Sequence, residues 1–233
     1  MLTLQHATLR FGGVTVLDAV DLHVGHGEVL GVVGPNGSGK SSLFNVISGI
    51  YPLTEGRIFI DNVNSTALLP HQVVAHGVVR TVQNARLFER LTVLDNIRPL
   101  SKNTRATAEA LLDEVGLADR RYAMAGALSF AERRRLDLAR ALALQPKLLL
   151  LDEPAGTLTE VETEAMVELL ARVALPGRSV ILVEHKINLI TALCPMVAVL
   201  HMGRKIAEGP PAVIRDDHLV RTVYFGDQDT GHA

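Results

Sequence analysis

Gly34-Pro35-Asn36-Gly37-Ser38-Gly39-Lys40-Ser41 decides how this 233-residue chain is read. The spacing is G-x-x-x-x-G-K-[ST], a loop whose backbone N–H groups can turn toward phosphate because its glycines carry no Cβ. In this pattern Lys40 supplies a point charge for the β- and γ-phosphates, and the Ser41 hydroxyl holds Mg²⁺. Residues 29–33 precede the loop as a buried strand, and residues 41–48 follow it as a helix. A helix that opens there aims its free N–H groups and its dipole at the anion. Pro35, Asn36, Gly37, Ser38 and Ser42 complete the expected nucleotide-binding segment. A glycine-rich turn between strand and helix is the bland alternative, and the rest of the chain separates the two.

On the N-terminal side, residues 2–10 and 16–24 read as strands, with Gly12-Gly13 as the turn between them. After the loop, residues 57–60 and 78–82 read as further strands, the second running into Gln83. Residues 104–115 place Ala108, Leu111, Leu112 and Val115 at helical spacing, and residues 130–144 form a second helix with Arg133 and Asp137 as an exposed i,i+4 pair. Residues 147–151 are nearly continuous leucine, which suits a parallel strand covered on both faces. Strands over 179–183, 196–201 and 204–207 follow, and residues 226–233 read as a frayed tail.

Ligands bind beyond the carboxyl ends of strands in open α/β sheets. The leucine strand ends in Asp152-Glu153, and another ends in Glu184-His185. Four leucines followed by an acid pair is the Walker B pattern, in which Asp152 holds Mg²⁺ and Glu153 orients and activates the attacking water. Taken alone, the acid pair reads equally well as a solvated turn before Pro154.

Composition narrows the classes. A formal net charge of −2 provides no overall basic field for nucleic acid. The single Cys194 excludes an intramolecular disulfide and reads as a small buried hydrophobe. No apolar run approaches the roughly 20 residues that span a bilayer, and no signal-peptide pattern opens the chain. A membrane role is therefore expected to run through a partner. The nine histidines show no H-x-x-x-H pair, so they point to no zinc site.

The order of P-loop, Gln83, Leu128-Ser129-Phe130-Ala131-Glu132, the leucine strand with Glu153-Pro154, and His185 resembles the ATPase subunit of an ABC transporter. The likeness covers roughly residues 2–225. It is closest to the ATPases of branched-chain amino acid importers, through Phe11-Gly12-Gly13, the stretch from Gly77 to Phe88, Leu91-Thr92-Val93-Leu94-Asp95-Asn96-Ile97 and Val223-Tyr224-Phe225-Gly226. The resemblance implies an α/β fold, a RecA-like P-loop NTPase core with an antiparallel β subdomain and an inserted α-helical subdomain. The core is expected over 1–84 and 145–207, the helical subdomain over 85–144, and C-terminal helices over 208–225. ATP and Mg²⁺ are the implied cofactors.

The resemblance also assigns roles. Phe11 stacks on adenine, or is an ordinary core aromatic. Gln83 reaches Mg²⁺ and the attacking water, or is a loop amide. His185 contacts the γ-phosphate. Leu87, Phe88 and Leu91 line a groove for a helix of the membrane partner, or pack the helical lobe. Catalysis is thus expected at Glu153, His185 and Gln83, and metal binding at Ser41, Gln83 and Asp152. The implied partners are a second ATPase subunit, membrane permease subunits and, indirectly, a periplasmic or extracellular solute-binding protein. No nucleic acid is expected, and the implied location is the cytoplasmic face of the membrane.

Three segments depart from the family pattern. The signature is usually Leu-Ser-Gly-Gly-Gln, and here it is Ser129, Phe130, Ala131 and Glu132 after Leu128. Ser129 and Glu132 form an S-x-x-E capping box, which explains both without catalysis. Ala131 places a Cβ where relatives have glycine. Thr159 stands where relatives carry Asp or Asn, and Lys186 where they carry Asp. The groups offered to the chain's own nucleotide fit the family, whereas those offered to an opposite nucleotide are altered. This suggests an asymmetric heterodimer, with a regulatory nucleotide-holding subunit of low turnover as the alternative. A soluble ABC protein of translation or repair lacks support, since the chain has neither a second ATPase unit nor a long coiled-coil insertion. A GTPase lacks its Asn-Lys-x-Asp.

Overall fold

The computed structural model describes residues 1–82, 86–100 and 105–225. Its strands are β1 (Leu2–Phe11), β2 (Val14–Val24), β3 (Val29–Val33), β4 (Glu55–Ile60), β5 (Val63–Asn64), β6 (Val78–Arg80), β7 (Leu148–Asp152), β8 (Ser179–Val183), β9 (Met196–His201) and β10 (Arg204–Gly209). Its α-helices are α1 (Lys40–Ile47), α2 (Pro70–Ala75), α3 (Val93–Ile97), α4 (Arg105–Glu114), α5 (Phe130–Ala143), α6 (Glu160–Leu169), α7 (Ile187–Leu193), α8 (Pro211–Asp216) and α9 (His218–Phe225).

The strands form two sheets, β2-β1-β4-β5 and β10-β9-β3-β8-β7-β6. The first is antiparallel throughout. In the second, β9, β3, β8, β7 and β6 run parallel, and β10 closes an antiparallel hairpin. Both β7 and β8 are buried at every position, as their unbroken apolar runs require. Successive side chains then point to opposite faces. Leu148, Leu150, Ile181 and Val183 join a core with Phe44 of α1 and the antiparallel sheet. Leu149, Leu151, Val180 and Leu182 join a second core beneath α6 and α7.

A third core belongs to the segment between β6 and β7. Val93, Leu94 and Ile97 of α3 pack there with Ala108 and Leu112 of α4 and Leu136 and Ala139 of α5. Helix α5 also sends Leu138, Ala141 and Leu142 into the second core. It is thus apolar on two faces, and it joins the helical segment to the sheet.

Several local expectations change. Strand β6 stops at Arg80, because Val82 is taken by α5: its N–H donates to Asp137 Oδ2 at 3.3 Å and its carbonyl accepts from Arg134 Nη1 at 3.1 Å. The exposed Arg133–Asp137 pair does not form. Asp137 is buried, and Arg133 turns away to Glu89 at 2.9 Å and to the carbonyls of Leu128 and Gly126. Strand β10 runs on to Gly209. Residue 104 and residues 226–233 lie outside the described residues. No helix among the described residues is long and apolar enough to cross a membrane.

Candidate functional site

The loop after β3 is built on close backbone approaches. A Cβ at Gly34 would lie 2.2 Å from the Leu200 carbonyl oxygen, so only glycine fits between β3 and the end of β9. Gly39 holds φ +107°, a left-handed conformation that glycine adopts freely, and it delivers the chain into α1. Lys40 is buried and closes the loop on itself, donating to the Gly34 and Pro35 carbonyls at 2.7 and 3.0 Å. Burial pushes its ammonium below the usual lysine range, while the carboxylates of Glu153 and Asp152 push it back up. An incoming polyphosphate offers that ammonium charged partners in place of two carbonyls.

A cavity of about 300 Å³ collects the chemistry. Residues 36–42 line it together with Val16, Glu153 and His185. A larger cavity of about 580 Å³ lies under α7, α8 and α9, lined mostly by apolar side chains such as Ile190, Val197 and Ile214. The smaller one is the candidate site, because the phosphate loop, Lys40, Glu153 and His185 line it.

Glu153 sits at φ +47°, uncommon for a residue with a side chain and the kind of strain that gathers at functional positions. Its N–H is held by the Val183 carbonyl at 2.9 Å. Its Oε1 lies 2.8 Å from His185 Nε2, so the two strand ends β7 and β8 bring an acid and a base into direct contact. Asp152 is buried, and its Oδ2 pairs with Arg80 Nη2 at 2.6 Å. Its Oδ1 accepts no hydrogen bond from any described residue. One oxygen open among the described residues, on a carboxylate fixed through its other oxygen, fits the sparse protein coordination that Mg²⁺ takes alongside phosphates.

The other expected residues that the structure describes sit apart from this cavity. Gln83 lies outside the described residues. Phe11 ends β1 half-exposed and meets Tyr51 edge-on, with ring centroids 5.1 Å apart. Val16, rather than Phe11, lines the cavity. Ser129 caps α5 reciprocally with Glu132: the Ser129 N–H donates to Glu132 Oε2 at 2.8 Å, and the Glu132 N–H donates to Ser129 Oγ at 3.3 Å. Phe130 is exposed beneath the Arg134 guanidinium, and Ala131 packs against the second core. Phe88 and Leu91 are exposed, with Leu87 partly buried on the third core.

Sequence reading missed residues that knit the site together. Glu184 is 1% exposed, and its carboxylate accepts from the N–H groups of Ala155, His185 and Lys186 at 2.7, 3.0 and 3.4 Å. Lys186 reaches the Leu158 carbonyl at 2.6 Å and Thr163 Oγ1 at 2.7 Å. Thr159, between them, caps α6 in a second capping box with Glu162. The unusual Thr159 and Lys186 therefore act on one junction, binding the loop after Glu153 to the loop that carries His185. An acidic residue closing an apolar strand was the available signal for Glu184. T-x-x-E was the signal for α6.

Comparison with known proteins bears on the same residues. Residues 17–156 match the family model described as ABC transporter, and residues 204–230 match one described as branched-chain amino acid ATP-binding cassette transporter. The chain is 34% identical to the high-affinity branched-chain amino acid transport ATP-binding protein BraF of Pseudomonas aeruginosa, over 97% of the chain and 98% of that protein. It is 32% identical to the lipopolysaccharide export system ATP-binding protein LptB of Escherichia coli, over 97% of both. Among solved structures it is similar to the ADP conformation of the ATP-binding cassette MJ1267, with a TM-score of 0.88, 26% identity and coverage of 97% and 99%. It is also similar to the dimeric ADP- and Pi-bound cassette MJ0796, with a TM-score of 0.80, 27% identity and coverage of 91% and 99%.

Proposed function

The chain belongs to the ABC transporter ATPase family, as an ATP-binding subunit that hydrolyses ATP, and from that premise we propose that it drives an importer of branched-chain amino acids or related small polar solutes. The observation that carries the chemistry is the one cavity shared by the phosphate loop, Glu153 and His185. Residues 34–42 bind the phosphates through backbone N–H groups, Lys40 and Ser41. Glu153 accepts the proton of the attacking water. His185 Nε2, 2.8 Å from Glu153 Oε1, holds that carboxylate and the γ-phosphate in register. Bound Mg²⁺ supplies neutralisation of the developing phosphate charge, and Ser41, Asp152 and Gln83 are the residues that would hold it.

Glu153→Gln tests the assignment. Turnover is expected to fall by about 10²–10⁴-fold, the usual contribution of a general base, with ATP still bound. Unchanged turnover would remove Glu153 from that role.

Transport requires partners: a second ATPase subunit, permease subunits and, at one remove, a solute-binding protein, with this chain on the cytoplasmic face. The capping role of Ser129 and Glu132, together with Ala131, supports an asymmetric heterodimer in which this chain presents a weak signature. The regulatory reading, nucleotide held with little turnover, rests on the same segment. Likeness to an export-system ATPase favours export as the competing direction. Co-purification with two permeases and a second ATPase, and ATP-driven uptake of leucine into vesicles, are expected. Efflux without uptake would reverse the assigned direction.

A further inference from the structure

Arg80 ends β6, three positions before Gln83, and is the best-connected cation near the site that no role above uses. Its side chain is 14% exposed. Nη2 donates to Asp152 Oδ2 at 2.6 Å, and Nη1 donates to Asn45 Oδ1 at 2.7 Å. The guanidinium lies over the Phe44 ring, 5.4 Å from its centroid. Nε is buried with no hydrogen-bond partner among the described residues, so the group is placed for these two contacts at the cost of a third. Asn45 and Phe44 belong to α1, which grows out of the phosphate loop, and Asp152 ends β7. One planar, two-pronged cation thus ties the phosphate-loop helix to the acidic strand end.

The backbone of Asp152 is held separately, where its N–H donates to Thr81 Oγ1 at 3.2 Å. The backbone is pinned by Thr81 and one carboxylate oxygen by Arg80, which leaves Oδ1 as the oxygen open to a ligand among the described residues. A partner that orients a metal-binding side chain sets the metal's affinity without touching the metal.

We propose that Arg80 is a positioning residue for the metal-bearing carboxylate: it holds Asp152 Oδ2 in register with the phosphate loop, so that Oδ1 is presented to Mg²⁺ bound with nucleotide. The inference rests on the reading of Asp152 as the metal's carboxylate, and the experiment separates the two. A lysine at position 80 keeps the charge but cannot hold Asp152 and Asn45 in one plane. A glutamine keeps a donor without the charge.

The full-length chain is titrated with the non-hydrolysable analogue AMP-PNP, in EDTA and in saturating Mg²⁺, by displacement of a fluorescent nucleotide. Arg80→Lys and Arg80→Gln are expected to bind within about twofold of the unchanged chain in EDTA, and to lose about tenfold of the tightening that Mg²⁺ produces. If the tightening is retained, the pair serves the fold alone and the proposal fails. It fails also if Arg80→Gln binds the Mg²⁺ form more tightly, since Arg80 then only screens Asp152. An equal loss in EDTA and in Mg²⁺ likewise overturns it, by moving the effect to the phosphate loop. Should Arg80→Gln not fold, Arg80→Lys and Asn45→Ala carry the test with the same sign. Asp152→Asn is the reference. If it leaves the tightening intact, Asp152 is not the metal's carboxylate and both readings fall; if it alone loses the tightening, only the role of Arg80 falls.

Discussion

Asp137 sits on α5 with 8% of its surface exposed, and burial pushes its carboxyl above the usual range. The Val82 N–H and the guanidinium groups of Arg140 and Arg134 pull the other way without cancelling the effect. A carboxyl whose pKa is raised by folding binds its proton more tightly folded than unfolded. Its contribution to stability is therefore present below the unfolded value of 3.8 and is lost as pH rises through the folded value. Asp137→Asn keeps an acceptor for Val82 without a charge to desolvate. A higher Tm than the unchanged chain is expected at pH 7, with the advantage shrinking toward pH 3.8; a pH-independent difference would show that the ionised carboxylate carries no net cost. Glu184, more buried still, is satisfied by three backbone N–H groups, so it organises the loops around Glu153 and His185. Neither role is visible in the residue type. Both depend on which N–H groups the fold brings to the carboxylate.

Helix α5 shows how one element serves two ends. Its N-terminus carries the signature segment, and its middle grips both backbone groups of Val82, just before Gln83. The Ser129 backbone N–H holds the Glu132 carboxylate below its ordinary 4.5. Stability from that cap is present above 4.5 and lost as pH falls through the lower folded value. Ser129→Ala removes the side-chain half of the box, and a loss of about 1 kcal/mol in denaturant unfolding is expected. Unfolding unchanged by Ser129→Ala would mean the serine is kept for contact with a nucleotide across an interface rather than for the helix. Helices α3 and α6 follow the same logic of local capping, through Thr92 with Asp95 and Thr159 with Glu162. These start signals can be read in the sequence, but Thr92 and Thr159 are read there only as positions of the family pattern.

On the scale of the molecule, two cores sandwich the parallel sheet and a third supports the helical segment, with α5 shared between the last two. The phosphate loop and the signature segment therefore face different surroundings on one chain. Ser129–Glu132 do not line the phosphate cavity, and under the proposed function they serve the nucleotide of a second subunit. Ala131 has its Cβ against the second core, so Ala131→Gly is expected to cost about 1 kcal/mol of stability through helix propensity. Because that Cβ faces the core, the same change is expected to leave ATP turnover of the assembled complex level. Turnover that rises, measured beside the stability loss, would restore the steric explanation of the altered signature.

By itself the sequence determined the P-loop, the acid pair, the leucine strands and the nucleotide chemistry they imply. These are local properties: a turn's need for glycine, a strand's two buried faces, a charge at a strand's end. Tertiary structure alone decided that Arg80 meets Asp152 across 72 positions, that Glu184 gathers the loop N–H groups, and that Lys186 reaches Leu158. It also moved Asp137 from an expected surface pair into a buried contact with Val82. Such pairings depend on strand order, with β7 between β8 and β6, and hydropathy records whether a residue is buried without recording its neighbours.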